Sequence, residues 1–136
     1  GCGKSTVLKH LASLGCACSD DDAIVHQLYA PGGAAVAPLS ASFPAALEDG
    51  GISREALAQA LQSSADPAAS LRTLEAIVHP LVFQYRQRFI ESASSWLVVV
   101  DSPLLLETMR ASGTKKDDMG LNAVIVVTCS AEAQRQ

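Results

Sequence analysis

Between residues 4 and 14, Val7, Leu8, Leu11 and Leu14 recur at helical spacing, and Gly15 follows where a C-terminal cap belongs. The spacing predicts a helix opened by the glycines that precede it. Residues 16–18, CAC, are a short apolar piece running into Ser19 and the aspartates Asp20, Asp21 and Asp22. Ile24, Val25 and Leu28 then form a second helical stripe, closed by the sequence YAPGG. Residues 34–52 are rich in Ala, Ser, Pro and Gly, and Pro38 and Pro44 exclude one long helix, so short irregular segments are expected. Ser53 is the predicted N-cap of a helix carrying Leu57 and Leu61. Asp66-Pro67 repeats the cap-then-proline signal ahead of Leu71, Leu74, Ile77 and Val78. His79-Pro80 is expected to end that helix. Leu81, Val82, Tyr85 and Phe89 would begin another, with Arg86, Arg88 and Glu91 on its outer face.

After residue 95 the period changes. Residues 96–100, WLVVV, are a continuous apolar run with β-branched side chains, the pattern of a strand covered on both faces, and Asp101 ends it. Residues 123–127, AVIVV, read as a second such strand, with a helix expected from Ala131. Covered strands alternating with helices predict an α/β fold built on a parallel sheet, whose ligands sit at the carboxyl ends of the strands.

Composition narrows the function classes. A chain of 136 residues that is 49% hydrophobic and 18% charged has enough apolar material for one soluble globular domain. A formal charge of −4 argues against duplex nucleic acid as a partner, which calls for a basic face. No apolar run is long enough for a membrane span, and nothing at the start resembles a signal peptide, so a reducing, cytoplasmic location is the default. Cys2, Cys16, Cys18 and Cys129 make neither a disulfide framework nor a C-x-x-C pair, and Cys16 and Cys18 read as small core residues.

The candidate chemistry begins at GCGKST, the second half of the phosphate-loop pattern G-x-x-x-x-G-K-[ST]. Gly1, Cys2 and Gly3 would let the backbone curl so that N–H groups point inward at the start of a helix. Lys4 would place an ammonium on the β and γ phosphates of ATP, Ser5 would offer its hydroxyl to Mg²⁺, and Thr6 would bond the α phosphate. The first glycine of the full pattern, and the strand feeding the loop, are expected upstream of residue 1. Cys2, near Lys4 at a helix start, is either an alkylation-prone thiol shielded by nucleotide or a space-filling residue. Asp20, Asp21 and Asp22 follow the short strand, where one carboxylate would accept a proton from an attacking hydroxyl; adjacent acids also suit a solvated first helical turn. Asp101 stands where a Walker-B-type acid would hold Mg²⁺ through water, although an Asp ending a strand is also an ordinary turn starter. Leu104, Leu105 and Leu106 would pack on a ligand or cap the core. Residues 114–117, TKKD, imitate a guanine-reading element but precede the second strand instead of following one, so they read as a solvated loop.

In combination these residues resemble the dephospho-coenzyme A kinase family. GCGKSTV is similar to that family's G-S-G-K-S-T-V, and residues 18–28, CSDDDAIVHQL, to V-I-D-A-D-x-I-A-[RH]-x-[LV]. Residues 75–82, EAIVHPLV, resemble L-x-x-L-x-H-P-L-[IV], and residues 99–107, VVDSPLLLE, resemble V-x-D-x-P-L-L-[FY]-E. The order and spacing of these pieces cover nearly the whole chain. The resemblance implies transfer of the ATP γ-phosphoryl group to the ribose 3′-hydroxyl of dephospho-coenzyme A, with Mg²⁺. It implies the P-loop nucleoside monophosphate kinase-like α/β fold, a parallel sheet flanked by helices with a helical substrate-binding insertion. On that basis residues 1–136 are one kinase domain, truncated at both ends, with an acceptor-binding region at about 30–92 and the core resuming at 96–136. Asp22 matches the general base and Asp20 the first acid, which is also the alternative base; His79, Leu104 and Glu107 match the acceptor side. The chain departs from the pattern at Asp21, usually a small residue, and at Leu106, usually aromatic. A lid with a phosphate-clamping arginine is expected beyond Gln136, so the 136 residues alone are expected to be inactive and poorly folded. An upstream fused pathway domain or an organelle-targeting leader would fit the same pattern. The alternatives are a nucleoside- or shikimate-type kinase, which lacks the His79-Pro80-Leu81 and Pro103-Leu104-Leu105 pair, and a nucleotide-dependent switch.

Overall fold

The computed structural model describes residues 3–103, together with 105, 109, 113, 115 and 120–128. The chain divides into two compact units, Gly1–Cys18 with Ser94–Gln136, and Ser19–Ala93.

The first unit opens with helix α1, Lys4–Ser13. It stops where expected: Gly15 takes φ 88, which a residue with a Cβ adopts only under strain, and its amide donates to the Ala12 carbonyl at 3.0 Å. The stripe that predicted α1 is only partly covered, since no α1 residue is buried and Val7 is 38% exposed. Strand β1, Ala17–Asp20, begins in this unit, and the unit boundary falls within it. The Ala17 amide donates to the Leu97 carbonyl at 3.0 Å. Val98–Asp101, the last strand among the described residues, pairs with β1, making an α/β fold with a parallel sheet. A long helical connection separates the two strands in sequence, as parallel neighbours require.

The apolar run at 123–127 departs from expectation. Residues 123–128 carry no strand, and Ile125 and Val126 are 74% and 58% exposed. β-Branched residues favour an extended backbone, but a strand exists only where a neighbour offers its edge. The helix expected from Ala131 lies outside the described residues.

The second unit is helical. Asp20 caps α2, Asp21–Tyr29. Helix α3, Val36–Ser42, tolerates Pro38 because it lies in the first turn, where the missing N–H has no intrahelical partner to lose. A 3₁₀ turn over Pro44–Ala46 and an antiparallel hairpin of β2, Leu47–Glu48, and β3, Gly51–Ile52, complete the irregular stretch. With these labels the Val98–Asp101 strand is β4. Ser53 and Asp66 cap as the sequence predicts: the Ala56 amide donates to Ser53 Oγ at 3.3 Å, and the Ala69 amide to Asp66 Oδ1 at 2.9 Å. They open α4, Arg54–Gln62, and α5, Pro67–Ser92.

Pro80 does not end α5, which runs through it. An interior proline removes one backbone bond and crowds the carbonyl four residues earlier. Ala76 and Pro80 are both exposed, so water can serve that carbonyl, while Leu74, Ile77, Val78, Leu81 and Val82 join the core on both sides of the proline. Burial on both flanks outweighs the local defect. The core is centred on Leu39, fully buried, with Ile24, Leu28, Phe43, Ile52 and Leu57 around it.

Candidate active site

The start of α1 has the geometry of an anion site. Gly3, the N-cap, lies in the left-handed region at φ 83, and among the described residues a Cβ there would meet no atom within 4 Å other than those of its chain neighbours. Its carbonyl accepts from the Thr6 and Val7 amides at 3.0 and 3.1 Å, which sets the first turn. The positive end of the helix carries no acidic residue in that turn, so nothing on α1 competes with an incoming anion. Ser5 and Thr6 are exposed there.

Lys4 Nζ lies 2.5 Å from Asp101 Oδ1. The two are 97 positions apart in sequence, one on the first turn of α1 and one at the end of β4. The Asp101 side chain is 5% exposed and that of Lys4 is 42% exposed, so the carboxylate is fixed while the ammonium stem still faces water. Gly1 and Cys2, named from the phosphate-loop pattern, lie outside the described residues.

In the second unit the aspartates sit at the β1–α2 junction, and each occupies a different environment. Asp20 Oδ1 accepts from the Asp22 amide at 2.9 Å, which caps α2. Asp21 is buried, with Oδ2 at 2.5 Å from Arg86 Nη2. Asp22 is exposed. His79 is exposed on α5, and Leu104 and Glu107 lie outside the described residues.

Arg86 corrects the sequence expectation. Its side chain is 15% exposed and turned to Asp21, not to the outer face of α5. The charge suggested the surface, but Val78, Val82 and Arg86 follow one another at intervals of four, and so share one helical face. Arg54 was missed altogether. Its Nη2 donates to the Asp22 carbonyl at 3.2 Å and its guanidinium lies 6.0 Å from the centre of the Tyr29 ring. The available signal was a cation in the first turn of a helix, where the dipole disfavours it, so another partner must hold it. Arg54, Tyr29, Ser53, His26 and Asp49 line a cleft of about 490 Å³. Burial pushes the Tyr29 hydroxyl above its ordinary value, partly opposed by the Arg54 cation.

A family model described as dephospho-CoA kinase matches residues 1–136. The chain is 44% identical over 135 residues to the dephospho-CoA kinase of Ruegeria pomeroyi, covering 99% of this chain and 64% of that protein. It is 44% identical over 137 residues to the dephospho-CoA kinase of a Jannaschia species, covering 100% of this chain and 66% of that one. The crystal structure of TT1252 from Thermus thermophilus superposes with a TM-score of 0.75 at 30% identity, over 96% of this chain and 62% of that one. The chain thus spans slightly less than two thirds of the length of these relatives. A glycine-started helix with its lysine on a strand-end aspartate, an acid turn after the first strand, and a match along the full sequence converge: the chain belongs to the dephospho-CoA kinase family.

Proposed function

We propose that the protein transfers the γ-phosphoryl group of ATP to the ribose 3′-hydroxyl of dephospho-coenzyme A, giving coenzyme A and releasing ADP as the bond to the β-phosphate oxygen breaks. The observation that carries this function is the meeting of Lys4 and Asp101 at the glycine-started end of α1.

The residues present fit Mg-ATP. The left-handed Gly3 and the positive end of α1 that it opens suit phosphate oxygens. Among the described residues no group of three or more His, Cys, Asp or Glu side chains is arranged to hold a metal ion. Mg²⁺ is commonly held by one or two carboxylates, waters and the substrate's phosphates. Ser5 and Asp101 are the oxygen donors that would hold it. When bound, Mg-ATP supplies the transferable phosphoryl group and a divalent charge across its terminal phosphates.

The chain's own groups then position and neutralise. Lys4, half in solvent, would turn from the Asp101 carboxylate to phosphate oxygens, and Asp101 would then be available to hold Mg²⁺. Asp22 accepts the proton of the ribose 3′-hydroxyl as its oxygen attacks, and Asp20 keeps that turn in place through its bond to the Asp22 amide. Arg54 fixes a cation beside the same turn, and the region at 30–92, with His79, holds the acceptor. The free thiols Cys16 and Cys18 suit the reducing cytoplasm.

The test is turnover by the purified full-length protein with Mg-ATP and dephospho-coenzyme A, the product identified by mass, and adenylate and shikimate offered as rival acceptors. Coenzyme A formation at a rate well above both rivals is expected. Faster phosphorylation of either rival would replace this function with another kinase activity.

A further inference from the structure

The acid turn carries one carboxylate more than its chemistry needs. Consecutive carboxylates in one turn repel one another. Asp21 is set apart from its neighbours: it is 9% exposed and points to Arg86, while Asp20 caps the helix and Asp22 stays exposed. Arg86 comes from α5, 65 positions away, and brings a planar guanidinium cation to the turn.

The pair is single-pronged. Asp21 Oδ1 and Arg86 Nε are buried and, among the described residues, have no hydrogen-bond partner. A buried ion pair with unused polar atoms is a poor source of stability, and two apolar side chains of similar volume often do as well. What such a pair does achieve is to hold one charge at a fixed place. A second tie, the Tyr85 hydroxyl donating to Gln27 Oε1 at 2.5 Å, also joins α5 to α2, so their docking does not hang on Arg86 alone.

We infer that Arg86 is a positioning residue that draws Asp21 inward and compensates its charge, leaving Asp20 and Asp22 as the carboxylate pair presented to the acceptor. The inference rests on the kinase function proposed above. Without Arg86, the Asp21 carboxylate would be buried and unpaired, and it would leave its site, pulling the first turn of α2 with it. Asp22 lies in that turn.

The test uses the full-length protein and steady-state kinetics, with thermal unfolding measured on every variant. Arg86→Met is expected to lower kcat about tenfold or more, since small displacements of a reacting group are costly, with KM for Mg-ATP unchanged within about twofold. The double variant Asp21→Ala/Arg86→Met, which removes both charges, is expected to recover kcat to within about threefold of the parent protein. Arg86→Lys, which keeps the charge, is expected to retain about half of kcat or more. A parent-like kcat in Arg86→Met overturns the inference, and so does a double variant as slow as the single one. Should Arg86→Met fail to fold, the other two variants decide: a tenfold loss in either overturns it. Turnover of the parent protein with dephospho-coenzyme A separately decides the functional proposal. If only adenylate or shikimate is phosphorylated, that proposal fails, and the same variant ratios, measured on the accepted substrate, still test Arg86.

Discussion

The Lys4–Asp101 and Arg86–Asp21 pairs share a separation of 2.5 Å, yet their surroundings differ. Lys4 is a flexible ammonium at 42% exposure on a fixed carboxylate, whereas in the second pair both side chains are enclosed, at 15% and 12%. The first contact can be exchanged for a phosphate where another cation then faces the buried Asp101 carboxylate, because the lysine itself reaches water and its stem can swing. The second cannot be opened without stranding a buried charge. An ion pair's length therefore says little about its task; the access of each partner to solvent separates a contact that works by changing from one that works by staying.

If this contrast holds, Lys4→Ala has the largest effect, lowering turnover by about 10³-fold, in line with the loss of a preorganised charge on the transferring group. The measurement is coenzyme A formation under saturating Mg-ATP, with folding checked by circular dichroism. Near-parental turnover would mean that the half-exposed lysine is a surface charge and the contrast fails. Asp22→Asn is expected to cost about 10²-fold in kcat while leaving ATP affinity, read by calorimetry, unchanged. A parental rate in this variant would move the base to Asp20.

Smaller effects sharpen the second half of the comparison. Ser53→Ala removes the acceptor for the Ala56 amide at the start of α4, and a loss of about 1 kcal/mol in unfolding free energy is expected from denaturant titration. Arg54 is the first residue of α4, so this cap also steadies the guanidinium beside Asp22. The smallest effect concerns pH. Burial raises the Tyr29 hydroxyl above its ordinary 10.0, so above that pH the unfolded chain releases a proton that the folded chain retains. Stability from this group is therefore complete below pH 10.0 and falls as pH rises toward the folded-state value. Tyr29→Phe should flatten the alkaline limb of a stability–pH curve; an unchanged limb would show that the hydroxyl is not held in its un-ionised form.

Much of the local structure was legible. Ser53 and Asp66 announce helix starts because a short polar side chain followed by helix formers has few other good conformations, and both cap as expected. Gly15 was readable for a similar reason, but the 96–100 run only in part: the strand is Val98–Asp101, its valines are half-buried rather than covered on both faces, and Trp96 and Leu97 stand outside it, 79% and 40% exposed. Pro80 misled, because its backbone cost is local while the gain from burying Val78, Leu81 and Val82 is not. The 123–127 run misled in the opposite sense: its residues favour extension, but no ladder forms on them. The charge of Arg86 points to the surface, whereas its spacing with Val78 and Val82 points inward, and the inward direction prevails.

By itself, the order of residues determined the helix starts, the glycine-lysine opening and the run of aspartates, since each depends on the conformational preference of a few neighbours. Only the tertiary structure decided which charge meets which. Lys4 with Asp101 and Asp21 with Arg86 are pairings across 97 and 65 positions, and the three aspartates differ in role only through what lies against each of them. Coulombic attraction and desolvation depend on distance in space and access to water, and neither is written in the separation along a chain.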